Sequence, residues 1–219
     1  MIQNPWQLLP QSGNNLILQI DQLFVSNHND KSAENHNFHL EFIPEPFIGN
    51  INAPVIALNA NPGYNPLEVK IHNNPTIRKM MLDNLIHTYP GFYYLSKDFD
   101  LSTGALWWRK KLRRLIEDTS KGSVSKNLLV VESMAYHSKS FKFINLPSQQ
   151  YSFQLVRMAI EREALIIIMR SKNVWFDLVP ALRIYKNLIV MNNPQSTYFS
   201  PGNLPRYEDV VKIISRSNN

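Results

Sequence analysis

The chain has 219 residues and 44% hydrophobic content, enough for one well-cored domain and against global disorder. With no cysteine, it has no disulfides, thiolate zinc sites, iron–sulfur clusters or cysteine nucleophile. A formal charge of +6 favours a phosphate-bearing partner without requiring one. No apolar run approaches the ~20 residues that cross a bilayer. The N-terminus lacks a basic start followed by an apolar core, so a cytoplasmic protein without a signal peptide is expected.

Residues 1–45 read as an N-terminal extension packing on a single α/β domain that spans 1–219. Within it, Leu16 to Val25 reads as a helix with an apolar face, and Ser26 to His39 as a polar loop. Residues 41–49 are extended and broken by Pro44 and Pro46. The run from Ala53 to Ala60 does not alternate with polar residues, so it reads as a strand buried on both faces. Pro62 and Gly63 stop it, placing Asn61 on a tight loop at the strand's carboxyl end.

Beyond that loop, Thr76 to His87 and Gly104 to Asp118 show helical spacing, with the aromatic stretch 91–94 between them. The second helix carries Arg109, Lys110, Lys111, Arg113 and Arg114 on a face that reads as solvated. Further strands are expected at 128–131, 165–169 and 188–191, separated by helices at 148–163 and 174–179, with a last helix at 207–214. Four buried strands alternating with helices predict a three-layer α/β/α sandwich with a central four-stranded parallel sheet and right-handed crossovers.

In such sheets ligands bind beyond the carboxyl ends of the strands. The residues just past those ends are Asn61–Tyr64, Glu132 with Tyr136 and His137, Arg170 with Lys172, and Asn192–Ser196. There is no glycine-rich phosphate loop and no Gly-x-Ser-x-Gly elbow, which argues against dinucleotides, triphosphates and esterase chemistry. The six histidines lack metal-ligand spacing, so no metal and no cofactor is expected. His137 reads as a hydrogen-bonded loop residue.

Pro46-Phe47-Ile48-Gly49, then Ala53-Pro54-Val55 and Asn61-Pro62-Gly63, resemble the first signature of the uracil-DNA glycosylase superfamily. The likeness is to its mismatch-specific and single-strand-selective branches, and Asn193-Pro194-Gln195-Ser196 stands where the second motif follows the last strand. It covers roughly residues 45 to 205. The resemblance implies a monomeric enzyme that flips a nucleotide out of single- or double-stranded DNA and hydrolyses its N-glycosidic bond. On that pattern Asn61 orients the water and Asn193 donates a hydrogen bond to the departing base. Tyr64 or Tyr136 stacks on the base, and Glu132 meets its edge.

Gln195, Ser196, Arg170 and Lys172 would then contact DNA, with Tyr198, Phe199 and Leu204 as wedges entering the duplex. Where those branches commonly carry an asparagine, this chain has Glu132. An ionised carboxylate only accepts hydrogen bonds, which suits a base presenting an amino group. Glu132 as a structural carboxylate remains the other reading of that position. Two alternatives to a glycosylase stay open: a nucleic-acid- or nucleotide-binding protein on the same fold with altered catalysis, and an unrelated small-molecule α/β enzyme.

Overall fold

The computed structural model describes residues 2–216. In chain order the elements are α1 (Gln22–Lys31), β1 (Phe47–Gly49), β2 (Val55–Asn59), α2 (Val69–His72), α3 (Pro75–Leu85), α4 (Thr103–Asp118) and α5 (Lys121–Asn127). They continue with β3 (Leu128–Glu132), α6 (Gln149–Glu161), β4 (Leu165–Ile168), α7 (Lys172–Leu178), β5 (Leu188–Val190) and α8 (Tyr207–Arg216).

The strands form one five-stranded sheet in the order β1-β3-β2-β4-β5. β2 pairs parallel with β3 and β4, and β4 pairs parallel with β5, so the four expected strands are parallel neighbours. β1 adds an antiparallel edge on β3, through Phe47↔Val131 and Gly49↔Leu129. The sheet is therefore mixed and five-stranded, not four-stranded and parallel. The extended segment around Pro46 finds its partner far along the chain, which no local pattern announces. Gly49 makes this pairing possible: its φ is +111°, and a Cβ there would collide with the Leu128 carbonyl oxygen.

Every residue of β2, β3 and β4 is buried, so both faces of the central sheet are covered. α6 packs on β3 and β4, and α8 on β2. One hydrophobic core runs from Trp6 to Ile214, so the N-terminal segment belongs to it. Leu16, Ile17 and Leu18 are all buried, an arrangement an exposed helix cannot give, and they run extended with Leu16 N donating to Leu40 O. The first helix consequently starts later than expected and takes in residues 26–31, part of the expected loop. α5 was also not anticipated; its sequence is rich in Ser and Gly, and Ser120 caps it by accepting from Ser123 N.

α4 begins where expected because Ser102 accepts from Ala105 N while the buried Glu68 accepts from Thr103 N. Those caps set the first turns of α4 beside the carboxyl ends of β2 and β3. Among the described residues no helix is long and apolar enough to cross a membrane.

Candidate functional site

A cavity of about 560 Å³ opens at the carboxyl ends of β2, β3 and β4. Asn59, Asn61 and Tyr64 reach it from β2 and its loop, Glu132 from β3, and Arg170 and Ser171 from beyond β4. The first turns of α4 close one side with Thr103, Gly104, Trp107 and Trp108. Ser171 holds a left-handed backbone (φ 54°, ψ 41°), a costly shape for a non-glycine residue of the kind that clusters at working sites.

Asn61 is held rigidly. Its Nδ2 donates to Ser138 Oγ at 3.0 Å, Ser138 O at 3.3 Å and Pro62 O at 3.0 Å. Two of those acceptors are carbonyls, so the amide cannot be turned over, and Oδ1 is left to accept from a ligand or water. The loop after β3 also grips Gly63: His137 Nδ1 lies 2.7 Å from Gly63 O. Tyr64 lines the cavity with one ring face stacked on His39, centroids 3.3 Å apart and planes 9° apart.

On the floor, Asn59 and Glu132 are register partners at the last residues of β2 and β3. Asn59 Nδ2 donates to Glu132 Oε1 at 2.9 Å. Asn59 Oδ1 and Glu132 Oε2 are both buried and have no hydrogen-bond partner among the described residues. Two adjacent orphaned polar atoms are costly unless something else meets them. Burial pushes Glu132 up to about 8; Glu45 adds to this, while the Asn59 bond and Arg170 pull against it. At neutral pH the side chain is therefore an uncharged acid that can donate as well as accept, which overturns the expectation of a pure acceptor.

A second buried acid lies nearby. Tyr94 donates to Glu45 Oε1 at 2.7 Å, and burial, with a contribution from Glu68, lifts Glu45 to about 8. Glu45, His72 and His137 each offer a ligand atom within 4.8 Å of the others, the one candidate metal cluster among the described residues. The hydrogen bonds argue against it. His72 Nδ1 accepts from Ile43 N at 3.1 Å, so its proton sits on Nε2 and no lone pair is left. His137 Nε2 is crowded by Ile43 O at 3.0 Å. Two groups fall short of the ligand set a protein metal site needs. Burial lowers both imidazoles, so the trio is an uncharged brace holding the Asn61 loop.

The mouth is basic and aromatic. Arg170 lies 5.7 Å and Lys111 Nζ 5.4 Å from the Trp107 ring, and Lys111 Nζ sits 3.9 Å over Tyr198. Lys139 also lines the cavity. The rest of the basic face of α4 reads as structural or solvated: Arg109 bonds Tyr94 O and Ser96 O, and Arg113 and Arg114 pair with Glu117 and Asp118.

Of the residues expected at the site, Asn61, Tyr64, Glu132 and Arg170 line the cavity. Asn193 does not. It is exposed, and its Oδ1 accepts from Gln195 N and Ser196 N, closing its own turn; Arg170 Nε donates to Pro194 O and ties that turn to the rim. Tyr136 points into the core, where its hydroxyl donates to Asp21 at 2.8 Å and its ring packs on Trp6 and Phe38. Phe199 and Leu204 are core residues, 0% and 1% exposed, and cannot be wedges as they stand. Tyr198 is half-buried against Lys111, Ser196 is half-buried, and Gln195 and Lys172 are exposed outside the cavity.

Asn59, Glu45, Glu68 and Trp107 were not foreseen. Asn59 left a trace, as the one amide inside an otherwise apolar buried run. Glu45 and Glu68 left none, because each sits in a segment without periodicity.

Fold and site together define an α/β protein with a ligand cavity at the carboxyl ends of parallel strands, floored by an amide–acid pair and rimmed by cations. Comparison with family models, with curated proteins and with solved structures yields no match.

Proposed function

We propose that the protein is a glycosylase-like enzyme of the cytoplasm, hydrolysing the N-glycosidic bond of a flipped-out uracil or related damaged base in DNA. The same proposal takes the finer architecture to be the three-layer sandwich of the uracil-DNA glycosylase superfamily. The observation that carries it is Asn61, the amide that ends the resembling first motif, locked by Ser138 with its oxygen free at the cavity. A cavity of about 560 Å³ falls within the about 300–1,000 Å³ typical of small-ligand sites.

In this reading Asn61 Oδ1 accepts a hydrogen bond from a water and aims its oxygen at C1′ as the sugar gains positive charge. A base pushed into the cavity meets Trp107 and Tyr64 on its sides and the Asn59–Glu132 pair at its edge. Arg170 and Lys139 at the mouth suit the flanking phosphates. A second reading, a nucleic-acid- or nucleotide-binding protein without turnover, is favoured by one observation: Asn193 faces its own loop rather than Asn61.

The two separate in an assay for abasic product on uracil-, hypoxanthine- and mismatch-containing oligonucleotides under single turnover. Release that Asn61→Ala lowers by about a hundredfold or more supports the enzyme. Salt-dependent binding with no abasic product from any substrate supports the binding protein.

A further inference from the structure

The proposed reaction leaves negative charge on the departing base, and the amide expected to meet it, Asn193, is exposed and not among the residues that line the cavity, its Oδ1 held by its own turn. The cavity floor supplies another group. Asn59 Nδ2 occupies Glu132 Oε1, which leaves Oε2 as the oxygen without a partner, on a side chain 3% exposed that lines the cavity. Beside it Asn59 Oδ1 is an acceptor with no partner among the described residues. With a proton on Oε2 the pair presents one donor and one acceptor, the complement of a lactam edge, where a ring N–H stands next to a carbonyl.

Resting on the glycosylase reading, we propose that Glu132, in its uncharged form, donates a hydrogen bond through Oε2 to a carbonyl oxygen of the departing base while Asn59 Oδ1 accepts from the neighbouring ring N–H. The substrate class is thus a lactam base, of which uracil and hypoxanthine are examples, and not one that presents an amino group. As the C1′–N bond breaks, its electron pair stays with the base and the charge spreads onto the oxygen facing Glu132. The water held by Asn61 bonds C1′ through its oxygen and gives up one proton; the base takes one up on release. Glu132 ends the cycle protonated, as it began. An uncharged acid kept dry by its site is well suited to donate to a forming oxyanion.

The groups that act on Glu132 come from four directions. Asn59 on β2 bonds it, Glu45 ahead of β1 opposes its ionisation, Arg170 after β4 favours it, and Tyr93 ahead of α4 interacts with it. Burial outweighs the rest and holds the side chain at about 8. The donor is therefore present at neutral pH and disappears as pH rises through that value.

The test measures single-turnover release of uracil from a deoxyuridine oligonucleotide between about pH 6 and about pH 8.5. A parallel arm measures binding of the same oligonucleotide carrying 2′-fluoroarabino-uridine, whose fluorine blocks cleavage. Wild type is expected to lose activity and binding towards the alkaline end. Glu132→Gln keeps a donor and an acceptor but cannot ionise; it is expected about tenfold slower near pH 7, because an amide is the weaker donor, and flat across the range. Glu132→Ala is expected about a hundredfold or more slower.

A wild type that is itself flat overturns the inference without any variant. So does a Glu132→Gln protein that keeps the alkaline decline, and in that case the glycosylase reading stands. Binding without release, pH-dependent in wild type and flat in Glu132→Gln, supports the Glu132 contact while overturning the glycosylase reading. No release and no binding at any pH overturns both.

Discussion

Two buried acids on one cavity wall make folding stability depend on pH in a direction opposite to that of an ordinary salt-bridged carboxylate. Glu45 and Glu132 sit at about 8 in the folded chain against the ordinary 4.5. Below the ordinary value both states hold the proton and the full contribution is present. As pH rises from there towards 8, the unfolded chain has ionised while the folded chain still binds the proton, so stability falls by up to about 1.4 kcal/mol per pH unit per group. Between about pH 7 and about pH 8 the loss is about 1 kcal/mol for each acid and about 2 kcal/mol together. Glu45 opposes the ionisation of Glu132, and Glu68 that of Glu45.

Histidines shifted by burial work the other way. His72, His87 and His137 lie below their ordinary 6.5, so they add stability as pH rises towards that value and nothing further above it. The window above pH 7 therefore leaves the histidines out. Urea denaturation at about pH 7 and about pH 8 should give a wild-type loss near 2 kcal/mol, cut to near 1 kcal/mol in Glu132→Gln. A wild-type stability that is level or rising across that window, or a Glu132→Gln protein that keeps the full slope, would refute the assignment of uncharged acids to the floor.

Ser138→Ala removes one of the acceptors that hold Asn61; base release is expected to fall roughly tenfold at a stability cost of about 1 kcal/mol by denaturant titration. Phe199→Ala is expected to cost about 3–5 kcal/mol of folding stability, because the ring is core; a stable Phe199→Ala protein that only loses DNA affinity would restore it as a wedge. Arg170→Ala and Lys139→Ala should each weaken oligonucleotide binding about equally across sequences and lower the salt slope by about 1.

The parallel strands were legible because a strand buried on both faces needs no polar alternation, so Leu128–Val131 and Leu165–Met169 announce themselves. The three residues of β1 carry no period, and only pairing with β3 makes them a strand. Leu16–Leu18 misled for the opposite reason: three adjacent apolar residues fit a helix turn locally, but burial of all three requires an extended path.

At the site, position relative to a strand end was readable and side-chain direction was not. Asn61 and Glu132 follow from where β2 and β3 stop. Asn193 stands equally close after β5, yet two backbone N–H groups of its own turn claim its oxygen. Tyr136 is likewise near a strand end, but a buried Asp21 from the N-terminal segment takes its hydroxyl. Nor can charge state be read from a letter: Glu132 looks like an acceptor until its burial is known.

The most direct test is a crystal structure of the protein with an oligonucleotide bearing the cleavage-resistant 2′-fluoroarabino-uridine. The base should lie in the cavity beside Trp107, with its N–H and carbonyl edge on Asn59 and Glu132 and a water on Asn61. A base still stacked in the strand, with the cavity taken up by other groups, would contradict the account.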